Sequence, residues 1–238
     1  IIQFTSVLIL DNVNAMLSDL QYLYVDMFLI LPFAFLMGKT GATDDLPSER
    51  PTAALISKRV LVSVFGQCAI QVLFQVFIFV MLLNTEFYYP SLGRTDEINV
   101  LGQAITSVFL MSLAEYIGCC IAFSISKPFR KSIFSNRWFL FALIVCSTVT
   151  LYMILFPSHW IRKKFQLAYL PFWWRVVILI MGLANMVITF YFERVIVITL
   201  LQKIKERRAR TRKKPPVKPH KWIKQYSPAR KRKIVKEV

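Results

Sequence analysis

Five stretches, at about 20–37, 60–83, 100–126, 138–157 and 172–193, are each apolar for long enough to cross a bilayer as a helix. They are apolar on every face. Strands of a membrane barrel would be shorter and would alternate in polarity, so the pattern predicts an all-α, polytopic membrane bundle. A soluble domain is excluded by the same runs, which raise the hydrophobic share to 56% and leave 18% charged residues. The chain opens at Ile1 inside another apolar run, IIQFTSVLIL, with no basic flank or small-residue cleavage site. That is not a signal-peptide pattern. It reads as the end of a sixth spanning helix, at about 1–10, and as a cut through a longer protein.

Charge divides the chain in two. Residues 203–238 hold 16 of the 30 Lys and Arg with only Glu206 and Glu237 opposing them, so the tail carries +14 of the net +17. Residues 1–202 therefore read as membrane helices and their connections, and 203–238 as a basic cytoplasmic tail. Connection 11–19 has no Lys or Arg and 84–99 has only Arg94, whereas 38–59 has Lys39, Arg50, Lys58 and Arg59. Connection 127–137 has Lys127, Arg130, Lys131 and Arg137. This alternation places the tail in the cytoplasm. One connection disagrees: 157–171 belongs on the opposite side yet carries Arg162, Lys163 and Lys164.

An ionisable group near the centre of a bilayer costs about 2.5–3.5 kcal/mol on insertion scales and needs a reason. Asp26, Glu115 and, near a helix end, Glu193 are such groups. Asp19 precedes Asp26 by seven residues, which returns an α-helix to nearly the same face. Tyr22 falls between them and Gln21 lies close by. Two carboxylates with an aromatic ring between them suit an extended ligand bearing several ammonium groups better than a compact metal ion. The structural alternatives are that Ser18 or Asp19 caps the helix and that Asp26 pairs with a basic partner in the bundle. Pro32 cannot donate to the carbonyl of Phe28, so a kink or opened backbone is expected just beyond Asp26.

Gln67, Gln71 and Gln75 recur every fourth residue and form a polar stripe, read as interhelical hydrogen-bonding glue in preference to a pathway lining. Glu115, beside Tyr116, has both a structural and a transport reading, and Asn185 is read as structural. Cys68, Cys119, Cys120 and Cys146 lie in apolar runs, and with only His159 and His220 to join them they indicate neither a disulfide framework nor a metal site.

The segment Leu17-Ser18-Asp19-Leu20-Gln21-Tyr22-Leu23-Tyr24-Val25-Asp26 resembles the fifth-to-sixth membrane helix region of the fifth class of P-type ATPases, the polyamine-transporting B subgroup. Arg50-Pro51 with Ala54-Leu55-Ile56-Ser57, then Ser126-Lys127-Pro128-Phe129-Arg130, then Pro171-Phe172-Trp173-Trp174-Arg175 follow in the family's order. The resemblance covers about residues 1–195 and implies helices five to ten of the pump. It further implies transport of spermine- or spermidine-class polyamines from late endosomes, lysosomes or vacuoles to the cytosol. It maps Asp19, Gln21, Tyr22 and Asp26 onto the substrate path. Asp11 stands where this family has an aromatic residue, and Glu115 where a Gln precedes the Tyr.

No Asp-Lys-Thr-Gly-Thr phosphorylation motif and no nucleotide domain occur in these 238 residues. The chain has no catalytic residue of its own. ATP and Mg2+ are implied only for a full-length pump, whose N-terminal half would be the partner of this region. For the tail, binding to anionic lipid of the cytoplasmic leaflet through Lys213, Lys214, Arg230, Lys231, Arg232 and Lys233 is preferred over nucleic-acid binding, which no motif supports. The rival to a transporter is a non-enzymatic multi-helix membrane adaptor with a lipid-binding tail.

Overall fold

Apolar residues on all sides leave the backbone no polar partner in lipid but itself, and helices follow. A computed structural model describes residues 1–42, 58–89, 101–124 and 130–197, without the side chains of 58, 59, 196 and 197. The elements are α1 (Ile2–Asp11), α2 (Asp19–Gly38), α3 (Lys58–Leu83), α4 (Gln103–Phe123), α5 (Arg137–Leu155), a short α6 (His159–Lys164) and α7 (Phe172–Tyr191). Helices α2, α3, α4, α5 and α7 are long and apolar enough to cross a membrane, and the shorter α1 is apolar. No strand occurs among the described residues. Thr199–Val238 separate from Ile1–Ile198 as a unit and lie outside the described residues, so the basic tail residues Lys213, Lys214 and Arg230 to Lys233 are not placed.

Helix α4 is the centre of the bundle, with 15 of its 21 residues buried. Its neighbour α7 comes close because both helices present small residues. A Cβ on Gly182 would lie 2.7 Å from the Cβ of Ala114, and one on Gly118 would lie 3.3 Å from the Cα of Met186. Gly66 of α3 similarly leaves room for the ring of Phe192, which a side chain there would overlap.

Polar residues at helix ends stitch the bundle. Asn136 accepts from the backbone N–H of Phe139 at 3.1 Å to cap α5, and its amide donates to the carbonyl of Leu36 at 2.7 Å, fixing the start of α5 to the end of α2. The fully buried Trp174 donates through Nε1 to Ser107 Oγ at 2.9 Å, anchoring α7 on α4. That gives the Trp173-Trp174 pair of the sequence motif a packing role, with Phe87 against both rings.

Candidate functional site

Ser18 starts α2 in extended conformation, and its N–H donates to Gln21 Oε1 at 3.1 Å, half of a capping box. Gln21 Nε2 donates in turn to the carbonyl of Phe165 at 2.8 Å. Gln21 is wholly buried, and both ends of its amide are used inside the protein. It therefore differs from the expectation that it faces a substrate: the cap needs its oxygen, and the loop after α6 takes its nitrogen. Asp19 and Asp26 are exposed and Tyr22 is half-buried between them in sequence.

From Val25 to Ile30 the helix widens into a π turn, and the N–H of Leu31 reaches back five residues to the carbonyl of Asp26. The opening expected beyond Asp26 thus begins one residue before it and includes it. The carbonyl of Phe28, which Pro32 cannot serve, accepts from Cys146 Sγ at 3.6 Å. The interval from Asp19 to Tyr24 is regular α-helix, so the wider turn affects the register only from Val25 onward.

Asp26 Oδ1 accepts from Gln3 Nε2 of α1 at 2.8 Å. The partner is a neutral amide, and no basic partner for Asp26 occurs among the described residues. The sequence signal for Gln3 was a polar residue within an otherwise apolar first run.

Behind this helix, α3 carries a buried polar ladder. Gln75 donates to Glu115 Oε2 at 2.7 Å and to the carbonyl of Ile2 at 3.4 Å, and its oxygen accepts from Ser6 Oγ at 3.2 Å. Gln71 accepts from Asn185 Nδ2 at 2.9 Å and donates to Thr189 Oγ1 and Cys119 Sγ, both at 3.2 Å. Gln67 donates to the carbonyl of Thr189 at 3.1 Å. One turn further, Ser63 donates to Glu193 Oε2 at 2.6 Å. Ser63 extends the four-residue spacing of the glutamines by one step. Serine is small enough to pass as packing, which hid it in the sequence.

These rungs join α3 to α1, α4 and α7, the geometry of interhelical hydrogen bonds worth about 0.6–1.7 kcal/mol each in a membrane. Glu115 and Asn185 are both fully buried. Among the described residues, Glu115 Oε1 and Asn185 Oδ1 have no hydrogen-bond partner. Among the described residues, no group of three or more His, Cys, Asp or Glu is placed to hold a metal ion.

Long apolar helices around a buried polar ladder, with two exposed carboxylates on a helix opened at its middle, define an integral multi-pass membrane region. The family model for the C-terminus of cation-transporting ATPases matches residues 14–195, and the chain belongs to that family. Human polyamine-transporting ATPase 13A3 is 30% identical over 215 residues, covering 81% of this chain and 18% of the relative. Human polyamine-transporting ATPase 13A2 is 35% identical over 158 residues, covering 66% and 13%. The Caenorhabditis elegans cation-transporting ATPase catp-5 is 28% identical over 215 residues, covering 87% and 18%. The chain is thus similar to the C-terminal membrane region of fifth-class, B-subgroup pumps and spans less than a fifth of those relatives' length.

Proposed function

We propose that this chain supplies part of the transport path of an ATP-driven polyamine or cation pump, with Asp19, Tyr22 and Asp26 meeting successive ammonium groups of the substrate. The observation that carries the reading is Asp26: an exposed carboxylate inside a π turn, held by a neutral amide, so that its charge is left for a cation. Tyr22 adds a ring face between the two acids. Gln21 positions this helix through its cap and its bond to Phe165. The two polyamine-transporting relatives support the substrate class.

The basic connections and tail support a cytoplasmic C-terminus, and the family resemblance implies uptake from the lumen of a late endosome, lysosome or vacuole toward the cytosol. The tail's basic residues, Lys213, Lys214 and Arg230 to Lys233, would rest on anionic lipid. ATP and Mg2+ act elsewhere in such a pump, because these 238 residues hold no phosphorylation motif.

Polyamine-stimulated ATP hydrolysis by a full-length pump carrying this chain tests the proposal. Asp26→Asn is expected to lower kcat/KM for spermine at least tenfold, while neutralising Lys213, Lys214 and Arg230 to Lys233 has the smaller effect. The reverse ordering would favour the membrane adaptor.

A further inference from the structure

The three bases of connection 157–171 sit against the charge rule that orders the other connections, and the fold gives each a different position. Arg162 lies over the ring of Tyr169 at 5.6 Å, on a ring that Arg175 also faces at 5.6 Å, so its charge is spent on packing. Lys163 is exposed. Lys164 lines a cavity of about 450 Å3 together with Asp19, Ser18, Met16, Leu20 and Gln166. Among the described residues no ion pair joins Lys164 to Asp19, so the ammonium and the carboxylate share the space without closing it.

The loop that carries Lys164 is fixed to the helix that carries Asp19. Gln166 takes a left-handed conformation with φ 50, and the N–H of Leu167 returns to the carbonyl of Arg162 at 2.9 Å, a Schellman-type end to α6. Phe165, between Lys164 and Gln166, accepts from Gln21 at 2.8 Å and packs edge-on against Tyr24 at 5.3 Å. The backbone on either side of Lys164 is therefore tied to α2.

The geometry points to Lys164 as a residue that sets substrate affinity, a positive charge beside Asp19 that weakens the first encounter with a cationic substrate. It rests on the polyamine reading above. A cation entering here meets Asp19 and Lys164 together, and their opposed fields cancel at the entrance. Lys164 thereby gains a use where the charge rule offers none.

Spermine-stimulated ATP hydrolysis by the full-length pump tests this with two variants that remove the same charge from the same short loop. Lys164→Gln is expected to lower the KM for spermine about threefold to tenfold with kcat unchanged, as expected for one unit charge at vestibule distance. Lys163→Gln, which does not line the cavity, is expected to leave KM within twofold. An unchanged KM in Lys164→Gln, or an equal fall in both variants, overturns the inference while leaving the polyamine reading standing. A wild-type pump that spermine does not stimulate sinks that reading, and this inference with it.

Discussion

Gln3 and Asp26, on different helices and 23 residues apart, meet through a hydrogen bond of 2.8 Å between an amide and a carboxylate. A basic partner would have neutralised Asp26, whereas Gln3 orients it and leaves its charge. The first apolar segment, which the charge pattern treats only as the end of a spanning helix, thus contributes a side chain to the candidate path.

Removing the amide tests that role. Gln3→Leu retains the charge of Asp26 but frees its carboxylate, and the loss of one hydrogen bond to a charged group is worth about 1.5–3 kcal/mol. The KM for spermine is expected to rise about tenfold in the full-length pump, with a smaller effect than Asp26→Asn on kcat/KM. Steady-state ATPase kinetics in detergent and lipid check both.

The pair Gln75 and Glu115 predicts an asymmetry in stability. Gln75→Leu strips the buried carboxyl of its 2.7 Å donor and is expected to cost about 3 kcal/mol. Glu115→Gln keeps an oxygen for Gln75 to donate to, and is expected to stay within about 1 kcal/mol of wild type. Thermal unfolding of the purified pump followed by intrinsic fluorescence separates them: a Tm loss as large in Glu115→Gln as in Gln75→Leu would contradict the ladder.

Close packing of α4 on α7 gives a third test. A methyl at Gly182 would stand 2.7 Å from the Cβ of Ala114, so Gly182→Ala is expected to destabilise by about 1–3 kcal/mol. Ala114→Gly in the same molecule restores the space and is expected to recover most of the loss. Melting curves of the two single variants and the double variant give the coupling directly.

Much of the fold was legible because a bilayer permits little else. Runs of about twenty apolar residues must become helices, since an unpaired backbone group in lipid costs several kcal/mol. The π turn was half legible. Pro32 announced that a donor was missing, but the widening reaches back to Val25, ahead of the expected point. The seven-residue spacing of Asp19 and Asp26 rests on a uniform α-helix, and the segment is α-helical as far as Tyr24, just before the turn begins. Gln21 is ambiguous for a related reason: a capping glutamine and a substrate-facing glutamine occupy the same place in a sequence, and the bonds to Ser18 and Phe165 come only with the fold.

The membrane-spanning class, the all-helical architecture, the family and the placing of acidic residues within helices follow from the order of residues alone. Those depend on composition and on spacing along one chain, where a lipid solvent makes the rules strict. The tertiary structure decided which polar side chain meets which: Gln3 with Asp26, Gln75 with Glu115, Ser63 with Glu193, and Lys164 in one cavity with Asp19. Those pairings join segments 23 to 145 residues apart in the chain, and no local periodicity encodes them. They arise because helices with apolar surfaces on every side gain little from one facing over another, so small residues and buried hydrogen bonds fix the facing.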